Sequence, residues 1–397
     1  MNIEDVSLRR IIDSRGNPTV EVEIKTKSGF GRAAAPAGAS TGTHEAIAWP
    51  EDRVSVGMEF AEKKLLPHLI GLEVDKQVEF DDFLKETDGT NNFSQMGGNI
   101  AVAFSLAYSK ATADSKGISF FEHVGKKDSY ALPAPMSNVL GGGAHAIGGT
   151  DIQEYLVTSF SDDISTAIEA NAMVHKNVSA ALKKKFPNLA LGKGDEGGWV
   201  APLDNVEALD LVVKSIDEVS DETGVDIRPG LDIAASEFYQ KEKYRYKNQT
   251  LTAEEQIDFV LGLIEEYDLH SVEDPLDQED FESWATLTDQ TDALIIGDDL
   301  YVTNSERIEK GIEINATNAV LIKPNQIGTL SDTIAAVNLA KKADMATVIS
   351  HRSGETTDTS ISHLGVAFDS HAIKTGIVGG ERIAKLNELV RISEQLR

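Results

Sequence analysis

Between Val225 and Gly376 one pattern recurs six times: a short apolar run, a polar or charged residue where the run ends, then a longer amphipathic segment. The runs end at Asp232 in DIRPGLD, Glu273 in HSVED, Asp298 in ALIIGDD, Lys323 in AVLIKPN, His351 in ATVISHR and Lys374 in HAIKTG. Short runs rich in Val and Ile predict buried strands. Each intervening segment is long enough for one crossover helix, so the repeat predicts a parallel sheet. If the sheet closes into a barrel, all six polar residues point into the mouth at its C-terminal face, where barrel enzymes keep their chemistry.

The 397 residues are too many for one small domain and suit two. Residues 3–36 alternate apolar with polar (TVEVEIKTKSGFGRAAAP), broken by Ser28-Gly29. This predicts an antiparallel hairpin entered through the turn Arg15-Gly16-Asn17-Pro18. A small-residue loop, Gly38-Ala39-Ser40-Thr41-Gly42, follows, and residues 55–125 have helical period. The expected organisation is an α+β domain over 1–125, a linker at 126–132 that Pro133 and Pro135 end, and an α/β barrel over 133–397. The barrel domain opens with a Gly-rich loop (LGGGAHAIGGTDIQEY), and the chain from there to a second one (LGKGDEGGW) reads as helical.

Composition narrows the function classes. There is no cysteine, which excludes disulfides, thiolate metal sites and cysteine nucleophiles. The N-terminus lacks a signal-peptide pattern, and no apolar run reaches the roughly 18 residues of a membrane span, so a cytoplasmic protein without membrane contact is expected. A formal charge of −28, from 65 acids against 37 bases, argues against nucleic acid as the partner. So large an excess is read as adaptation to a salty cytoplasm, where screening weakens self-repulsion, rather than as a merely solubilising surface.

Asp232, Glu273 and Asp298 form the strongest constellation. Three carboxylates at three strand ends would repel one another and raise each other's pKa, and a hard divalent cation such as Mg²⁺ removes that conflict. Any one of them taken alone is more simply a loop acid; three in phase are not. Lys323 and Lys374 end later strands, either as structural ion pairs with those acids or as a general base, and the residues alone leave both open. SHRSGET groups His351, Arg352 and Ser353, which suits a phosphate. Glu154 and Glu196 flank the Gly-rich loops as a candidate proton-transfer pair, and His145 lies within the first loop. Gly192–Gly197 fits GxGxxG, but without a clear preceding strand and with an Asp-Glu pair inside it, so no dinucleotide site is expected.

With these residues in place, the chain resembles the enolase family over nearly its whole length. DSRGNPTVEVE, GASTGTHEA, DIQEY, GDEGGWVAP, GLDIAASEF, SVEDPL, GDDLYVTN, KPNQIGTL, SHRSGETTD and IKTG stand in family order. The resemblance implies an enolase-type barrel, TIM-like but with opening strands that are not all parallel, behind a smaller α+β domain with an antiparallel sheet. It implies reversible dehydration of 2-phosphoglycerate to phosphoenolpyruvate, in a superfamily known for a Lys or His base working with one or two Mg²⁺ ions.

Carried over residue by residue, Asp232, Glu273 and Asp298 would hold the first Mg²⁺. Ser40 would help hold a second Mg²⁺ with the substrate phosphate. Lys323 would take the C2 proton and Lys374 would bind the carboxylate. Glu196 would protonate the departing hydroxyl, with Glu154 beside it and His351 assisting. Arg352 and Ser353 would clamp the phosphate, and His145 would cover the site. Ala37 and Gly141 depart from residues common in the family, Ser and Asn, and bear on loop closure. By resemblance the chain is expected to form a homodimer or larger homo-oligomer. A different acid-sugar dehydratase of the same superfamily would not need the phosphate-holding segments. A non-catalytic binding protein should have lost Lys323, Glu196 or a metal acid, and all are present.

Overall fold

In a computed structural model, residues 2–39, 41–146 and 148–396 are described. The chain opens with an antiparallel sheet of β1 (Ile3–Ile12), β2 (Pro18–Thr26) and β3 (Phe30–Ala34). Val20, Val22 and Ile24 are fully buried on one face of β2, as its alternation requires. That face packs on the helix Gly98–Lys116, which is buried along most of its length. Contact is so close that a Cβ on Gly31 would fall 2.0 Å from Ala107 O. Helices Val54–Lys64, Gln77–Asp88 and Phe120–Gly125 complete this part, as the helical period predicts.

The remainder is a closed eight-stranded barrel. Its strands are β4 (Ala134–Gly141), β5 (Glu154–Phe160), β6 (Asp226–Asp232), β7 (Ser271–Glu273), β8 (Leu294–Gly297), β9 (Ala319–Ile322), β10 (Ala346–Ser350) and β11 (Ala372–Lys374). Neighbours pair in chain order, and β11 pairs with β4 to close the ring. All pairings are parallel except those of β5, which runs antiparallel to both β4 and β6. The two helices Ile164–Lys185 and Asn205–Thr223 lie between β5 and β6, and single crossovers serve the later strands.

The six runs of the repeat become β6 to β11. The two strands before them carry no such signal and fall in the stretch read as loop and helix. β4 breaks its apolar run with Pro135, Ser137 and Asn138, whose polar atoms find distant partners: Asn171 Nδ2 donates to Pro135 O at 2.8 Å and to Ser137 Oγ at 3.0 Å, and Asn138 Nδ2 donates to Glu196 Oε2 at 3.4 Å. Barrel strands are apolar on both faces because both are covered. Met136, Leu156, Ile296, Ala319, Leu321, Val348 and Ala372 fill the lumen. Tyr155, Val157, Val272, Ile295, Val320, Ile349 and Ile373 face the outer helices. Above the apolar lumen, at the C-terminal rim, the barrel becomes polar.

Candidate active site

The rim residues follow from strand geometry. Asp232, Glu273 and Lys374 are the last residues of β6, β7 and β11; Asp298, Lys323 and His351 come one position after β8, β9 and β10. His145, Glu154, Glu196, Asp232, Asp298, Lys323, His351, Arg352, Ser353 and Lys374 all line one small cleft. Residues as distant in sequence as Gly38 and Lys374 thus meet in one place. Ser40, expected beside the phosphate, lies outside the described residues.

Two buried ammonium groups face the carboxylates. Lys374 Nζ donates to Glu273 Oε2 at 2.7 Å and to Asp232 Oδ2 at 3.0 Å, and lies 3.4 Å from Glu154 Oε1. Lys323 Nζ pairs with Asp298 Oδ2. Burial alone would depress both lysines. For Lys374 the surrounding acids Asp232, Glu154 and Glu273 reverse this strongly, and for Lys323 Asp298 does so. Burial, then the like charge of Asp232, pushes the Glu273 carboxyl well above its ordinary range. Three hard oxygen donors crowded into a buried site under mutual repulsion fit a hard divalent cation. Neutral amides orient them: Gln326 Nε2 donates to Asp298 Oδ1 at 2.9 Å and Gln153 Nε2 to Asp232 Oδ2 at 3.3 Å.

On the other wall, His145 Nδ1 lies 3.4 Å from Glu154 Oε1 and 3.8 Å from Glu196 Oε1. Burial disfavours the His145 imidazolium, but Glu196 and Glu154 outweigh it and lift its pKa to about 9. Burial, reinforced by Glu196, lifts the Glu154 carboxyl to about 7. Burial acts the same way on Glu196, yet His351, His145 and Lys374 hold it well below the usual range. The two acids are thereby driven apart, Glu196 ionised and Glu154 the readier proton carrier, a division that marks proton-transfer pairs.

Several contributors were not foreseen from sequence. Arg382, in the last helix (Gly380–Gln395), is fully buried and donates to His351 Nδ1 at 2.7 Å, Arg352 O at 2.6 Å and Ser353 O at 2.6 Å. Glu45 takes a two-pronged ion pair from Arg352, at 2.9 and 3.0 Å. Arg382 had a legible signal, since it shares the apolar stripe of its helix with Leu386 and Leu389. Glu45 had none beyond its place in the GASTGTHEA segment.

Glycines let the loops close. Gly376 has φ +70, and a Cβ there would sit 2.6 Å from Glu196 O. A Cβ on Gly142 would meet Thr150 Oγ1 at 2.1 Å. Gly141, by contrast, has nothing nearer than 3.7 Å, so a side chain fits there. Ala37 docks through backbone alone, exchanging hydrogen bonds with Gly354 at 2.7 and 2.8 Å. Ser353 Oγ accepts from Ala39 N at 2.5 Å. The segment next to Ser40 is therefore tied to the loop that bears Arg352 and Ser353.

Comparison with known proteins agrees with this geometry. The family model for the enolase N-terminal domain matches residues 3–124, and that for the enolase C-terminal TIM barrel domain matches residues 129–397. The enolases of Methanosphaera stadtmanae and Methanothermobacter thermautotrophicus are each 50% identical over 402 residues, covering 99% of this chain and 97% of theirs. The enolase of Halorubrum lacusprofundi is 48% identical over 399 residues, covering 99% of this chain and 98% of its own. The chain belongs to the enolase family.

Proposed function

We propose that the cleft catalyses the reversible dehydration of 2-phospho-D-glycerate to phosphoenolpyruvate, as a phosphopyruvate hydratase. The observation that carries this reading is the opposition of two walls: buried lysines among three carboxylates on one side, and Glu154, His145 and Glu196 on the other.

Asp232, Glu273 and Asp298 would hold one Mg²⁺, and Ser40 would help to hold a second; when bound, such ions would supply the positive charge that offsets the substrate carboxylate and phosphate and lowers the cost of removing a very weakly acidic C2 proton. Lys323 Nζ would take that proton as the free amine, once Asp298, the carboxylate that otherwise keeps it charged, is engaged by the cation instead; the C–H electron pair passes into the carboxylate system. Lys374 stays charged, being surrounded by acids, and binds the carboxylate. When the C3–O bond breaks, the departing oxygen leaves as water on receiving a proton delivered through Glu196, which is ionised at rest and takes that proton first from Glu154, whose carboxyl holds it up to about pH 7. Glu154 and His145 resupply Glu196, and His351 steadies its carboxylate from 3.4 Å. Arg352 and Ser353 grip the phosphate.

The same reading places residues 1–125 and 133–397 as the two domains, the protein in the cytoplasm, and the assembly as a homodimer or larger. Among the described residues no helix is long and apolar enough to cross a membrane. The test is spectrophotometric. Phosphoenolpyruvate should appear from 2-phospho-D-glycerate with Mg²⁺, and an unphosphorylated sugar acid with hydroxyls at C2 and C3 should not react. Turnover of the unphosphorylated acid in preference to the phosphorylated one would redirect the assignment to a different dehydratase.

A further inference from the structure

At the far end of the barrel from the cleft, His270 immediately precedes β7 and His371 immediately precedes β11. These strands stand opposite one another, four pairings apart in either direction around the ring. Their leading histidines nonetheless meet across the mouth, with Nε2 atoms 3.3 Å apart. The ring centroids are 5.5 Å apart, so the two nitrogens point toward each other. Phe160, the last residue of β5, packs against both rings at 5.3 and 5.9 Å. His270 borders an open cavity of about 830 Å³, which gives solvent a path to the pair.

We propose that His270 and His371 form a binding site for a zinc-class divalent cation, which clamps the N-terminal mouth of the barrel. A tetrahedral Zn²⁺ with two bonds of about 2.0–2.1 Å sets its nitrogens about 3.3–3.4 Å apart. The observed separation falls in that range; it is also within reach of a long N–H···N hydrogen bond between the two rings, which the cation would replace. Two imidazoles select Zn²⁺, Cu²⁺ or Ni²⁺ over Mg²⁺, so this site differs in kind from the all-oxygen set at the rim.

The surroundings are compatible with a cation. Arg228 lies over Phe160 at 4.9 Å, and its charge is matched by Asp226, which it grips at 2.7 Å. Burial, then His371 and Arg228, pushes His270 down to about 4, and burial also lowers His371. Both rings are therefore neutral near pH 7 and have no second proton to displace.

A clamp here braces strands that matter elsewhere. β7 and β11 carry Glu273 and Lys374 at their other ends, 2.7 Å apart. The same two strands would then be joined at both mouths, by a cation at the floor and by the ion pair at the rim.

The test titrates Zn²⁺ into the full chain held in saturating Mg²⁺, followed by calorimetry and by Tm. The wild type should show a Zn²⁺-binding event and a Zn²⁺-dependent rise in Tm. His270→Gln and His371→Gln should each weaken that event at least about tenfold, since losing a ligand costs no less than losing a partner behind one. Both should abolish the rise in Tm and leave Mg²⁺-supported turnover unchanged in the absence of Zn²⁺. Either variant binding Zn²⁺ as the wild type does, or a wild type with no such event, overturns the proposal.

Discussion

Arg382 Nη1 lies 2.7 Å from His351 Nδ1, and because a guanidinium can only donate, that contact fixes the ring's tautomer. Nδ1 must accept, so the proton of the neutral ring sits on Nε2, which faces Glu196 Oε1 at 3.4 Å. Burial keeps the ring neutral, pushing its pKa down to about 4. Arg382→Met should therefore lower kcat about tenfold or more and shift the pH–rate profile. Arg382→Lys, which keeps a donor, should recover part of the loss. Because Arg382 also holds two backbone carbonyls, its loss lowers stability too. The profile shift separates the roles: an unchanged profile with fewer folded molecules would leave Arg382 purely structural.

Glu45 positions Arg352 through a buried two-pronged pair. Glu45→Ala removes the carboxylate partner of a buried guanidinium, a change that costs about 3–5 kcal/mol when a buried pair is broken. We expect a lower Tm together with a raised KM for the phosphorylated substrate. A lower Tm with unchanged KM would show that Arg352 needs no help from Glu45.

Acid should destabilise the protein in a definite window. Burial, helped by Lys116 and Lys126, pushes His123 from the ordinary 6.5 down to about 4. Between those values the unfolded chain binds a proton that the folded chain refuses. The stabilising contribution is thus complete above pH 6.5 and lost as pH falls toward 4. Tm measured across that window should drop more steeply for wild type than for His123→Gln; parallel curves would contradict the assignment.

The net charge of −28 predicts a salt response. Tm should rise between low and molar KCl as screening relieves self-repulsion. A flat or falling Tm would count against adaptation to a salty interior.

Much of the site was legible because a barrel converts sequence period into position. A polar residue ending an apolar run must emerge at the rim, so Asp232, Glu273, Asp298, Lys323, His351 and Lys374 could be placed before their contacts were known. Strands β4 and β5 were not legible. Ser137 and Asn138 are polar yet buried, bonded to Asn171 and Glu196, partners that no local pattern reveals. Glu45 and the pairing of His270 with His371 were hidden for a related reason: each acts through a residue more than a hundred positions away. The opposed ionisation of Glu154 and Glu196 depends on which cations lie nearest, and that is a property of the folded cleft alone.

The most direct measurement follows phosphoenolpyruvate formation from 2-phospho-D-glycerate, with Mg²⁺ and with chelator, for wild type and Lys323→Ala. The account predicts that chelator abolishes wild-type turnover and added Mg²⁺ restores it. Lys323→Ala should lower turnover by about 10²–10⁴-fold, the usual contribution of a positioned base. Wild-type turnover indifferent to chelator, or a variant as fast as wild type, would contradict it.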